Sequence, residues 1–453
     1  MDDRKQPAVL NAGYYQAFFG WMAVPNLHTA QSATINFPMK TFEQIVELEK
    51  KYLLQTYNRY PIVLTRGKGV FLYDHDDRRY LDFVSGLGVN ALGHAHPRIV
   101  KTIREQAAKL IHVSNLYYHE YQGVLAEKLC TLAGGDAGAS SPSASMGACR
   151  AFFSNSGTEA IEGSIKLARL AGHRAGGEGK SRLVALQGSY HGRTFGALSL
   201  TGQEKHRKGF EPMLEEVTFV GQNDIEGLRA AVNDTTCAIV LEPIFGEGGI
   251  YECSVEFLQV CRVLADRHKA ALIFDEIQCG LGRTGTMFAF QTFGVAPDIV
   301  AIAKPIAAGL PLGAFIAKEE FANSISPGQH GTTFGGGPLA CRVALEFLAI
   351  VEEEKLLENV NRVGSYLQQE LKAVAEKSAV AKEVRGRGFI QGINLEIPAR
   401  PIVDAALAEG VLFNSTQDTV VRFLPPYLLE EKHVDKGIRV LKKLLRKRRN
   451  DAA

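Results

Sequence analysis

The sequence has no long hydrophobic run. Apolar stretches such as Ala270 to Phe274 fall far short of the ~18 residues that a bilayer-spanning helix needs, so no membrane span is expected. It also lacks an excess of either charge: 51 basic residues face 49 acidic ones, a net charge of +2 with histidines neutral. That balance excludes the broad cationic field of a nucleic-acid binder and the acidic tail of a solvating segment. Seven cysteines, at positions 130, 149, 237, 253, 261, 279 and 341, are scattered, odd in number and without a CxxC. They suggest neither a zinc site nor a disulfide framework, and a reducing cytoplasm is the simpler setting. His94 and His96 have no cysteine or carboxylate partners beside them, so they read as a turn and no metal is expected.

What is present is ordinary globular composition, 46% hydrophobic and 22% charged, in a chain of 453 residues. That length exceeds one small core and predicts two domains, interleaved in sequence. Residues 1–38 carry Tyr14, Tyr15, Phe18, Phe19 and Trp21, with Asp2 and Asp3 at the start. Without a clean apolar core, and with acidic residues, they do not read as a targeting peptide. They read as a poorly ordered extension.

Helical spacing starts at Thr41, with Phe42, Ile45 and Val46 on one face, and recurs from Pro97 to Ile111 and from Tyr121 to Leu132. Ile62 to Leu64 and Val70 to Tyr73 read as strands, with Arg66 to Gly69 as the turn between them. Ala133 to Ala148 is a Gly/Ala/Ser stretch that reads as a surface loop. From Arg150 the pattern changes. Short apolar runs (151–153, 183–186, 217–220, 238–241, 270–274 and 299–303) alternate with helical stretches, which predicts a mainly parallel sheet covered on both faces. From Pro338 the chain reads as helical to about Ala375, then as short strands. The final helix ends in a basic run, Lys442 to Arg449, read as a solvated helix terminus.

In open α/β sheets, ligands bind outside the carboxyl ends of the strands. After the first run come Ser154 to Glu159 and a helix, a ready anion site of free N–H groups and hydroxyls. After the second come Tyr190, His191 and Arg193, offering a ring face, an imidazole and a guanidinium able to grip a carboxylate. Glu242 and Asp275 each close an apolar strand, where an acid is costly unless paired with a neighbour or a cationic ring nitrogen. Lys304 closes another, where desolvation lowers a lysine pKa and makes the amine nucleophilic. Together these are the four parts that pyridoxal 5′-phosphate requires: a phosphate anchor, a ring cover, a partner for the ring nitrogen and a lysine.

From about Thr56 to about Leu445 the chain resembles the class III pyridoxal-phosphate aminotransferases, most closely those acting on acetylornithine. The matching blocks include Gly93 to Pro97, His112 to Tyr118, Ser154 to Glu159, Tyr190 to Thr194, Glu242 to Gly249, Asp275 to Gly285, Lys304, His330 to Leu339 and Arg422 to Pro426. The resemblance implies a fold type I PLP-dependent transferase of the α/β class. Its large domain, residues 116–345, would hold a mainly parallel seven-stranded sheet. Residues 39–115 and 346–453 would form the smaller α+β domain.

By position, the resemblance makes Lys304 the catalytic lysine that bonds the cofactor aldehyde, Asp275 the partner of the ring nitrogen and Gln278 that of the ring hydroxyl. Tyr190 would stack on the ring, and Ser156, Gly157 and Thr158 would hold the phosphate. Thr333 would reach the phosphate from a second subunit, with Thr332 near the substrate, which implies a homodimer with shared sites. Arg193 would take the substrate α-carboxylate, and Glu247 with Arg422 would form a switch pair. The implied reaction moves the δ-amino group of N2-acetylornithine to 2-oxoglutarate, a step of arginine biosynthesis. Ornithine, succinylornithine and 4-aminobutyrate transaminases and an aminomutase of the same fold remain as alternatives. The chain departs from the family pattern at Phe245, Pro305 and Gly337, where Gln, a small residue and Asn are usual.

Overall fold

The computed structural model describes residues 40–134 and 145–451, with side chains as far as Arg446. The extension expected over residues 1–38 lies outside the described residues, as do most of the Gly/Ala/Ser stretch and the side chains of Lys447, Arg448 and Arg449. The chain divides into two units, the first ending at Pro61. That unit contains the helix Phe42–Tyr52, which begins with a capping box. The Thr41 side chain accepts from the Gln44 N–H, and the Gln44 side chain accepts from the Thr41 N–H, so two N–H groups that the helix itself cannot satisfy find partners.

The second unit, from Ile62, is of the α/β class and centres on a seven-stranded sheet. In chain order its strands are β1 (Cys149–Ser154), β2 (Arg182–Leu186), β3 (Val217–Val220), β4 (Thr236–Leu241), β5 (Ala271–Asp275), β6 (Ile299–Ile302) and β7 (Gly313–Lys318). Across the sheet they run β1-β7-β6-β5-β4-β2-β3. All neighbouring pairs are parallel except those that β7 makes with β1 and β6. Every residue of β4, β5 and β6 is buried, which is why these strands read as unbroken apolar runs. The helix α1 (Gly157–Gly176) follows β1 and lays Ile161, Ile165 and Ala168 against Ala185, Val240 and Ile273 of the sheet. Each buried Ile or Val among them contributes about 1.5–3 kcal/mol by leaving water.

Two four-stranded sheets come from the ends of the chain. One pairs Leu64–Lys68, Phe71–Asp74 and Arg79–Asp82 with Val411–Leu412. The other joins Ala381–Arg387, Ile390–Leu395, Val420–Phe423 and Asn414–Thr416, all antiparallel. The turn expected at Arg66 to Gly69 is mostly strand. Leu64–Lys68 is a largely exposed edge strand, and edges carry charges such as Arg66 and Lys68 that mask a strand pattern. No helix among the described residues is long and apolar enough to cross a membrane.

Candidate active site

The carboxyl ends of β1, β2, β4, β5 and β6 lie along one edge of the sheet, and the segments leaving them surround a cavity of about 400 Å³. That is within the range of small-molecule sites. Ser156, Gly157 and Thr158 line it at the start of α1. Ser156 caps the helix, its Oγ accepting from the Glu159 N–H at 3.4 Å. First-turn N–H groups lack intrahelical partners and carry the positive end of the helix dipole, so an anion is favoured here. Thr158 Oγ1 lies 2.8 Å from Thr194 Oγ1, which ties the helix start to the loop after β2. Gly192 in that loop has φ +132°, and any side chain there would run into Thr158. Only glycine allows the two segments to come this close.

Tyr190, His191 and Arg193 line the same cavity. The Arg193 guanidinium carbon lies 5.7 Å from the Tyr190 ring centre, and Arg193 itself is exposed. Asp275 ends β5, and its Oδ2 lies 2.8 Å from His191 Nδ1 with both side chains buried. An ionised Asp275 accepts from Nδ1–H, which fixes the ring. His191 Nε2 is buried without a partner among the described residues.

Glu242, just after β4, bridges two loops by accepting from the Tyr190 N–H at 2.8 Å and the Gly246 N–H at 3.0 Å. Burial, with the nearby Asp275 carboxylate, pushes its pKa up to about 7. Lys304 opens a short 3₁₀ turn after β6, with φ +44° immediately before Pro305, a backbone region uncommon outside glycine. Enclosure by the protein lowers its pKa from the usual lysine value, although Glu247 and Asp275 pull the other way.

Glu247 and Gln278 complete the wall. Glu247 Oε1 lies 2.6 Å from Arg422 Nη1, while Gln278 donates to Glu247 at 3.3 Å and accepts from Arg422 at 3.1 Å. Burial would raise the Glu247 pKa, but the charge and hydrogen bond of Arg422 outweigh it and hold the carboxyl below its usual range. Arg422 is buried behind Glu247 and does not line the cavity itself. Thr332 and Thr333 do not line it either. They border a second cavity of about 360 Å³ with Glu159, Glu162 and His330.

The donor set fits pyridoxal 5′-phosphate: a helix end with hydroxyls for a phosphate, a buried carboxylate for a protonated ring nitrogen and an enclosed amine for an aldehyde. Two features escaped sequence reasoning. His191 carried no sign that it faces Asp275, 84 positions away. Asn414, which holds Arg422 through Nε at 2.9 Å and Nη2 at 2.5 Å, lay in an unremarkable stretch.

Comparison with known proteins agrees with this geometry. The chain is 45% identical over 399 residues to an acetylornithine aminotransferase of Methanocaldococcus jannaschii, covering 88% of this chain and 97% of the relative. It is 43% identical to the acetylornithine aminotransferase of Aquifex aeolicus, over 87% of this chain and all of that one. Among solved structures, an ornithine aminotransferase from Toxoplasma gondii superposes with a TM-score of 0.85 at 28% identity, covering 91% of this chain and 97% of that one. An acetylornithine aminotransferase from Elizabethkingia anophelis gives 0.78 at 30% identity, covering 90% and 100%. The family model for class-III aminotransferases matches residues 52–445, and the chain belongs to that family.

Proposed function

We propose that the protein is a pyridoxal-phosphate-dependent aminotransferase that moves the δ-amino group of N2-acetylornithine to 2-oxoglutarate. The products are N-acetylglutamate 5-semialdehyde and glutamate. The observation that carries this reading is that Asp275, at the end of one buried strand, and Lys304, just after another, line one cavity together with the α1 N-terminus. Relatives that match nearly end to end and are named for acetylornithine support the donor.

The bound cofactor supplies an electron sink for the carbon that bears the amine. Ser156, Gly157 and Thr158 would anchor its phosphate, Tyr190 would cover its ring and Gln278 would meet its ring hydroxyl. Asp275, oriented by His191, would keep the ring nitrogen protonated. Lys304 would hold the cofactor through its aldehyde. With the cofactor in place, its Nζ would be the base for the donor δ-carbon proton, and enclosure shifts its pKa downward from the usual lysine value. Arg193 binds the α-carboxylate. With an N-acylated donor, Glu247 neutralises Arg422. With 2-oxoglutarate, Glu247 turns aside and Arg422 meets the second carboxylate.

The same reading makes the protein a homodimer. Ile111, Leu116, Tyr117, Tyr118 and Phe334 are all more than half exposed, and Thr332 and Thr333 lie beside Phe334 but away from this chain's main cavity. A second copy covers that apolar surface and receives Thr333 at its phosphate. The seven cysteines are all free, which suits a cytoplasmic enzyme.

The test is a coupled assay with 2-oxoglutarate over acetylornithine, succinylornithine, ornithine and 4-aminobutyrate, with Lys304→Ala as control. Acetylornithine is expected to give the highest kcat/KM and the control to show no turnover. Higher efficiency with another donor would overturn the substrate, and full turnover by the control would overturn the mechanism.

A further inference from the structure

The Glu247–Arg422 pair depends on a residue that neither the sequence pattern nor the comparisons single out. The Arg422 guanidinium is buried and makes five contacts. Nη1 donates to Glu247, to the Gly246 carbonyl at 2.7 Å and to the Gln278 amide oxygen; Nε and Nη2 both donate to Asn414 Oδ1. Among the described residues Glu247 is its only ionic partner, and all the others are neutral. Asn414 is also the register partner of Arg422 across the antiparallel pair of Asn414–Thr416 with Val420–Phe423, so the sheet fixes its position.

The same strand and the residue after it hold the other half of the pair. Thr416 Oγ1 and Gln417 Nε2 each donate at 2.8 Å to the backbone carbonyl of Glu247. Glu247 is therefore held at its backbone while its side chain is 30% exposed, against 1% for the Arg422 side chain. The Glu247 side chain is thus the less enclosed half of the pair, and Arg422 is the half fixed by the sheet.

An aspartate at position 414 has the same shape and offers the same acceptor to Nε and Nη2, and a charge-assisted bond is stronger than a neutral one. If aiming Arg422 were the only requirement, aspartate would serve at least as well. What asparagine adds is hold without charge. We propose that Asn414 is a positioning residue that sets acceptor specificity. It fixes the guanidinium while leaving its positive charge uncompensated once Glu247 turns away, so that a dicarboxylic keto acid finds a net cation. This rests on the switch-pair reading given above.

The test compares wild-type holoenzyme with Asn414→Asp, Asn414→Ala and Arg422→Lys. Calorimetry measures binding of glutarate, a five-carbon dicarboxylate that cannot be transaminated. Kinetics compares 2-oxoglutarate with the monocarboxylate pyruvate. Asn414→Asp is expected to weaken glutarate by roughly 10- to 100-fold, the size of one lost charge-assisted interaction. It should raise KM for 2-oxoglutarate more than it lowers kcat, and change pyruvate far less. Asn414→Ala loses the hold but not the charge balance, so its loss of glutarate binding is expected to be the smaller of the two. Wild-type glutarate affinity in Asn414→Asp would overturn the proposal. So would a loss in Asn414→Ala as deep as that of Arg422→Lys, because Asn414 would then act by support alone; that comparison decides even if the aspartate variant does not fold. If Arg422→Lys leaves glutarate binding and the 2-oxoglutarate KM unchanged, the switch pair itself fails, whatever position 414 does.

Discussion

Two of the three carboxylates in the cavity wall are held in opposite ways. Asp275 meets His191 at 2.8 Å, with side chains 4% and 0% exposed. Glu247 meets Arg422 at 2.6 Å, but Glu247 keeps 30% of its side-chain surface exposed. The first acid is the last residue of a fully buried strand; the second stands on a loop whose backbone is tied down while its side chain faces the cavity. A charge needed throughout a reaction belongs where nothing can displace its partner. A charge needed for only one of two substrates belongs where a substrate carboxylate can replace it.

Damage to the fixed end is expected to have the larger effect. Asp275→Asn keeps the shape and removes the negative charge proposed to hold the ring nitrogen protonated. We expect kcat to fall by about 10²–10³-fold, the usual loss when one preorganised electrostatic contact is removed. Half-reactions followed through the cofactor spectrum should show the loss with both donor and acceptor, since both need the same charge. A loss confined to one substrate would erase the distinction between the two ends.

Damage to the movable end should separate the substrates. Glu247→Gln leaves Arg422 uncompensated at all times. We expect kcat/KM for 2-oxoglutarate to hold or rise and that for acetylornithine to fall, the two shifting apart by about tenfold, near the cost of one partly exposed ion pair. Equal losses in the two half-reactions would show Glu247 to be a structural residue.

The two ends also differed in how far the sequence revealed them. Lys304 and Asp275 were legible from the residues alone, because a charged group closing an unbroken apolar strand is a local signal. Glu247 and Arg422 lie 175 positions apart, and only family resemblance joined them. Neither resemblance nor pattern reached Asn414, whose part depends on the register of two short strands. The fold shows the same division. The buried parallel strands were plain, whereas β7, with only Gly, Ala, Phe, Ile and Lys in six residues, and the charged edge strand Leu64–Lys68 were not recognised from their residues. Thr332 and Thr333 were assigned by resemblance to a site shared between subunits, and no pattern within one chain reports such a contact.

Glu242 offers the smallest and most discriminating test, because it touches the loops of both ends through the Tyr190 and Gly246 N–H groups. Two forces compete on it. Burial and the Asp275 charge disfavour its ionised form, whereas nearby His191 and the two N–H donors favour it. With burial ahead, the folded pKa stands at about 7 against an ordinary 4.5. Between those values the folded state binds more protons than the unfolded one, so stability falls as pH rises. The contribution of Glu242 is then fully present below about 4.5 and is lost as pH climbs to about 7. Glu242→Gln cannot titrate. Thermal unfolding of the cofactor-free wild type and variant across this range is expected to show the wild type's stability advantage shrinking as pH rises, then holding steady above 7. If that advantage instead grows with pH, His191 and the two N–H groups dominate and Glu242 is held ionised, a second fixed charge beside Asp275.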